Sequence, residues 1–165
     1  MYPFDIYLKY QKEIEEASKR FNLSQARISA KIFRESSGDP KALRSEPQID
    51  DASYGLMQIL WSTAQFVMRI SEVPRIEKPE DLFDPRVNIL YGCAYFRYLL
   101  DFYLCQDIGA INCAEADYNS GRARFASSTG NLSVDRHITE INKRTDFLIH
   151  DPRYRKLHNL DKEMT

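Results

Sequence analysis

An excess of charge of either sign is missing from this 165-residue chain: 23 basic residues stand against 24 acidic ones, a formal net charge of -1 at pH 7. Such balance leaves no electrostatic footprint for nucleic acid or an anionic membrane surface. The densest basic stretch, Lys143 to Lys156, is interrupted by Asp146 and Asp151 and reads as a solvated helix face. A run of roughly 18 apolar residues is also missing, which excludes a spanning helix. The opening MYPFDIYLKY lacks a basic n-region and an uninterrupted apolar h-region, so it does not read as a secretory signal. Cysteine is scarce: Cys93, Cys105 and Cys113 lack zinc-like spacing and have no histidines nearby. His137, His150 and His158 fall late and read as surface or core residues, so no metal and no cofactor is expected. The odd cysteine count is compatible with three buried or half-buried thiols, or with one disulfide joining Cys105 to either of the others.

What is present is material for one domain over residues 1–165: 43% apolar and 12% aromatic residues suffice to fill a core. Strand signals are nearly absent and helix signals frequent. Asp5 is placed to cap a first helix in which Tyr7, Tyr10, Ile14, Ala17 and Phe21 recur at helical spacing up to Asn22. Ser24 caps the next, which stops at Ser36-Ser37-Gly38-Asp39-Pro40. Lys41 to Ser53 reads as a long polar loop with at most a small hairpin, and long loops in compact domains are often functional. Ser62 or Thr63 is placed to cap a helix to about Ile70, and a Pro-rich connector follows from Val73 to Asp84. Asp84 and Pro85 give a strong helix start, with Leu90, Ala94 and Leu99 running inward to about Tyr103. Further helices are expected from about Ile108 to Tyr118, from Ser133 through Ile138, Ile141 and Leu148, and in a short basic segment at the end. The fold class is mostly α: about seven helices around a cleft.

One carboxylate is out of place. In ARISAKIFRESSGDP, Ile28, Ile32 and Glu35 share one helical stripe, so Glu35 points where the core residues point. The structural reading is a carboxylate paired with an arginine or capped by local donors. The chemical reading is a general acid: desolvation raises its pKa, and the negative end of the helix dipole pushes the same way. A carboxyl still protonated near neutral pH is what glycosidic cleavage needs. Two other segments offer a setting for it. GLMQIL places a glycine beside Gln58, an amide able to hydrogen-bond a sugar, and ADYNSG ends a helix with Tyr118 and Asn119 just before a glycine-bearing turn. Taken alone, each segment is more often structural than functional: Met57 and Leu60 read as core and Tyr118-Asn119 as a helix terminus.

Four segments in order, RESSGDPKALRS, YGLMQILWSTA, LFDPRVNILYGCAYFRYLL and AEADYNSGRARF, resemble the blocks of the soluble lytic transglycosylase catalytic domain, a relative of goose-type lysozyme. The resemblance spans about Ile28 to Phe125. It implies a lysozyme-like helical domain acting on peptidoglycan glycan strands, with Glu35 as the sole catalytic carboxylate. Glu35 would protonate the oxygen bridging N-acetylmuramic acid and N-acetylglucosamine and then, as a base, activate the sugar's own 6-hydroxyl to give a 1,6-anhydro product. The family's remaining site residues fall on Gln58, Tyr118 and Asn119, and on Ser45 if one residue is inserted. Tyr118 is expected to matter most after Glu35.

The sequence departs from the family at three places. The stretch between Glu35 and Gln58 is longer than usual, Trp61 replaces the proline that commonly follows the glutamine block, and the late Glu-Thr-x-x-Tyr-Val segment is replaced by SVDRHITEI, with His137-Ile138 at the Tyr-Val place. A hydrolytic, goose-type alternative would need a second carboxylate to steer water. Asp50 and Asp51 are the candidates, with Asp117 read as a helix-end charge. A third reading is a non-catalytic glycan-binding or assembly protein. A monomer is the default expectation, and the resemblance implies work in the periplasm or envelope. A leader already removed, a phage setting or a secretion apparatus would account for the missing signal.

Overall fold

The computed structural model describes residues 2–102, 110–120 and 132–160. Cys105, the expected start at Ile108 and the turn at Gly121 lie outside the described residues. Among those described there are eight α-helices and one small antiparallel sheet. The expected first helix is two: α1 (Pro3–Lys9) and α2 (Gln11–Phe21) meet at Tyr10, whose φ of -118° and ψ of 29° break the helix. The break lets the Tyr10 hydroxyl reach inward and donate to the Gly38 carbonyl at 3.1 Å, while Tyr7 and Ile14 stay in the core. Helix α3 (Gln25–Ser36) starts as read: the Ser24 hydroxyl accepts the Arg27 N–H at 3.4 Å, and Ser37 ends it in a left-handed conformation. Ala26, Ile28 and Ile32 are buried, and α1, α2 and α7 (Leu132–His150) pack around this helix.

The polar segment folds as three strands, β1 (Leu43–Glu46), β2 (Asp51–Tyr54) and β3 (Ile59–Leu60), in that order. Arg44 pairs with Ser53 and Ser45 with Ala52. Helix α4 (Trp61–Ile70) follows directly, and its cap is not Ser62 or Thr63. The Asp51 carboxylate takes that place from β2, accepting the N–H groups of Trp61 and Ser62 and the Ser62 hydroxyl at 2.6 to 3.2 Å. A cap supplied across the sheet has no local sequence signature. The connector carries one 3-10 turn, Pro79–Phe83, and α5 (Pro85–Phe102) begins as read, with Asp84 accepting the Val87 N–H at 2.9 Å. Helix α6 (Ala110–Ser120) packs on α5 and α7, and α8 (Pro152–Leu157), capped by Asp151, closes the described chain. Cys113 is disulfide-bonded and Cys93 is a buried free thiol, which corrects the reading of three thiols.

The turn joining β2 to β3 is held by α5. Asn88 is fully buried; its amide oxygen accepts the Met57 N–H at 2.7 Å, and its amide nitrogen donates to the Tyr54 and Leu82 carbonyls at 2.8 Å each. Gly55 makes this possible, since its φ is +69° and a Cβ there would lie 2.5 Å from Asn88 Nδ2 and 2.6 Å from the Leu82 carbonyl oxygen. Gly55→Ala should therefore lower unfolding stability by about 2 to 5 kcal/mol, combining left-handed strain with loss of buried hydrogen bonds. Urea unfolding checks it, and an unchanged midpoint would mean that the turn is not clamped.

Candidate active site

Glu35 lies one residue before the end of α3, so its stripe delivers it to the wall of a cavity of about 310 Å³. Its side chain is 9% exposed. Burial raises its pKa, Lys31 opposes that, Glu115 adds to it, and Arg34 and Arg44 oppose it; the net direction is up. The carboxyl therefore tends to keep its proton. The neighbouring Ser36 is not chemical but structural: its hydroxyl donates to the Leu56 carbonyl at 2.8 Å and accepts the Gly38 N–H at 3.2 Å. It ties the end of α3 to the turn that carries Gln58.

Gln58 faces the same cavity from a left-handed backbone conformation, φ 49°, a strained position for a residue with a side chain. Its amide nitrogen is anchored to the carbonyls of Gly55 and Ala42 at 3.1 and 3.3 Å, which leaves the amide oxygen as the free acceptor. Tyr118, on α6, lines the cavity too and donates its hydroxyl to the Met57 carbonyl at 3.0 Å. Its ring contacts Tyr95 and Phe96, and the Lys31 ammonium sits 3.5 Å from its centroid. Burial, then the Glu35 charge, push its pKa well up, so the phenol stays neutral. Asn119 completes this wall and places its amide nitrogen 3.1 Å from His137 Nδ1.

Four of the five expected site residues thus share one cavity, and Ser45 does not. Side chains alternate along a strand, so Arg44 and Glu46 face Glu35's cavity while Ser45 faces a different one with Pro47, Asp50 and Asp51. Ser53, paired with Arg44, is the serine on the cavity side. Asp50 and Asp51 also line that other cavity, and Asp51's pKa is lowered: burial opposes ionisation, but hydrogen bonds from Ser62, Ala52 and Trp61 outweigh it. The carboxylates that line the cavity beside Glu35 are instead Glu46, bound to Arg44 at 2.6 Å, and Asp117, which lies in the last turn of α6 and is 4% exposed.

Two features escape a reading of the sequence. His137 is completely buried, a core residue rather than a surface one, with Nε2 3.6 Å from Glu35 Oε1. Beneath the site, Glu115 is buried and bridges Lys31 at 2.6 Å and Arg27 at 3.2 Å. Only the place of His137 at the Tyr-Val position hinted at the first. Nothing local signals the second, since its partners lie 84 and 88 residues away.

With this geometry in hand, the likeness to known proteins is specific. The family model described as the transglycosylase SLT domain matches residues 12–136. The soluble lytic murein transglycosylase of Salmonella typhimurium is 27% identical over 124 residues, 75% of this chain and 18% of that protein. Its counterpart from Escherichia coli K12 is 32% identical over 77 residues, 47% of this chain and 11% of that protein. The chain thus spans under a fifth of the curated relatives it matches. Among solved structures, the 70 kDa soluble lytic transglycosylase of Escherichia coli in complex with bulgecin A superposes with a TM-score of 0.61 at 24% identity, over 84% of this chain and 20% of that one. An inactive mutant of lytic transglycosylase Slt from Pseudomonas aeruginosa gives 0.63 at 23% identity, over 91% and 24%. These two likenesses establish the fold, and the family match over most of its length establishes that the chain belongs to the SLT transglycosylase family.

Proposed function

We propose that the chain is a peptidoglycan lytic transglycosylase domain that cleaves the β-1,4 bond between N-acetylmuramic acid and N-acetylglucosamine and leaves a 1,6-anhydromuramoyl end. The observation that carries this reading is Glu35, a carboxyl whose pKa burial raises, at the wall of a cavity shared with Gln58, Tyr118 and Asn119. In the first step the Glu35 proton passes to the bridging oxygen as the bond to the muramoyl C1 breaks, and the muramoyl N-acetyl group stabilises the cation from within the substrate. In the second, the 6-hydroxyl bonds to C1 and its proton returns to Glu35. The acid is regenerated and no water is consumed. A raised pKa suits both halves, because the group must donate and recover a proton near its working pH. The free amide oxygen of Gln58 is placed to accept from a sugar N–H or hydroxyl, while Tyr118, its donor given to Met57, holds the wall in shape.

Asp51's engagement at the start of α4 supports this reading over hydrolysis by the carboxylates expected from the sequence. Murein digested with the purified domain should release fragments ending in anhydromuramic acid, one water lighter than reducing ends by mass spectrometry. Reducing ends would indicate a hydrolase, with Glu46 or Asp117 steering water, and no release would indicate a glycan-binding protein. The site of action on this reading is the cell envelope, where murein lies.

A further inference from the structure

Glu35 Oε1 and His137 Nε2 are both buried, and neither has a hydrogen-bond partner. They face each other at 3.6 Å. That is too long for a settled hydrogen bond, yet closing it takes a few tenths of an ångström, and catalytic contacts are often loose before substrate binds. The other ring nitrogen is engaged: Asn119 Nδ2 donates to His137 Nδ1 at 3.1 Å. An imidazole that accepts at Nδ1 must, when neutral, carry its hydrogen on Nε2. Three helices thus contribute one residue each to an ordered chain: Asn119 from α6, His137 from α7 and Glu35 from α3.

We propose that His137 is a positioning residue that donates its Nε2–H to Glu35 Oε1, reserving that oxygen and leaving Oε2 as the one that gives up and recovers the proton, with Asn119 fixing the imidazole tautomer. The alternatives are worse on elementary energetic grounds, since each would leave two buried polar groups without a partner. A donor to Oε1 also serves both halves of the cycle. It points at a carbonyl oxygen while Glu35 is an acid and at a carboxylate while it is a base, so the ring need not change state. Burial first, then the charges of Lys31 and Arg34, push the imidazole pKa down to about 3, which keeps the ring a neutral donor. Glu35 itself is faced by Lys31 and Arg34 from α3, Arg44 from β1 and Glu115 from α6, none of which is removed with His137.

This proposal rests on Glu35 being the acid-base group, but its test does not rest on murein as substrate. In histidine-labelled protein, ¹⁵N spectra should show His137 as the neutral Nε2–H tautomer at about pH 6, where an ordinary histidine is largely protonated. A ring protonated at Nδ1, or an imidazolium, overturns the proposal without any variant. Following the Glu35 carboxyl by ¹³C, His137→Phe should titrate at higher pH than the parent, because a donor that favours the ionised form is gone. His137→Gln, which offers an amide donor in nearly the same place, should move it back. An unmoved Glu35 titration in folded His137→Phe overturns the proposal. On murein, His137→Phe should lower kcat about tenfold to a hundredfold with KM little changed, and His137→Gln should recover most of it. A purely structural histidine would lower stability without moving the carboxyl titration.

Discussion

Glu35→Gln should reduce murein cleavage by about a thousandfold to ten-thousandfold, because on the proposed mechanism one substitution removes both the acid and the base, and a positioned proton donor contributes on the order of 10² to 10⁴. The loss should fall on kcat, since the amide keeps the size and much of the hydrogen bonding of the acid. The same substitution should stabilise the fold in a pH-dependent way. The carboxyl pKa in the folded protein lies above its unfolded value, so the proton binds the folded state more tightly. The stability tied to that proton is fully present below the unfolded pKa and is lost as pH rises through the raised one. The amide of the variant never ionises, so the melting temperature of Glu35→Gln should match the parent in acid and exceed it above the raised pKa. A variant that is less active yet equally stable at every pH would mean that Glu35 is not desolvated as described.

Glu115→Leu is the second large effect, and it falls on stability. Glu115 and Lys31 are 0% and 1% exposed, and the carboxylate also holds Arg27. Burying a charge is tolerable only while it is paired, and removing one partner of such a pair costs about 3 to 5 kcal/mol. For a chain of this length that corresponds to a melting temperature lower by roughly 6 to 20 °C. Exchanging both partners, Lys31→Met with Glu115→Leu, should recover most of the loss, since an apolar replacement of a buried pair is often neutral. The pair also reaches the chemistry. Glu115 pushes the Glu35 pKa up and Lys31 pulls it down, so Glu115→Gln should draw the alkaline limb of the activity profile to lower pH. Calorimetry and a pH–rate series read the two effects separately.

The parts of this site that were legible beforehand are those with a local cause. The 3.6-residue period put Glu35 on the stripe of Ile28 and Ile32, and Ser24 and Asp84 announced their helices through side chains that cap the next turn. The parts that were not legible depend on pairings across the chain. The β1 residues Leu43, Arg44 and Ser45 are all exposed, so no alternation of apolar and polar residues betrays a strand, and its facing is set only by its register with β2. A single inserted residue decides whether Ser45 or Arg44 faces the cavity. In the same way Asp51 looked like a free acid in an enlarged loop, but the sheet brings it to the start of α4. The break at Tyr10 goes with a hydrogen bond to Gly38, 28 residues on. His137 carried a weak signal, its place at the Tyr-Val position, but only the packing of α7 on α3 puts the ring against the carboxyl.

Central to the proposed mechanism is that Glu35 passes a proton between two oxygens of the same substrate and that water takes no part. Digesting murein in H₂¹⁸O tests it directly. Anhydromuramoyl products that carry no ¹⁸O are expected, formed by the parent and lost in Glu35→Gln. One ¹⁸O at the muramoyl C1 for each bond cleaved would contradict the mechanism and would make the enzyme a hydrolase.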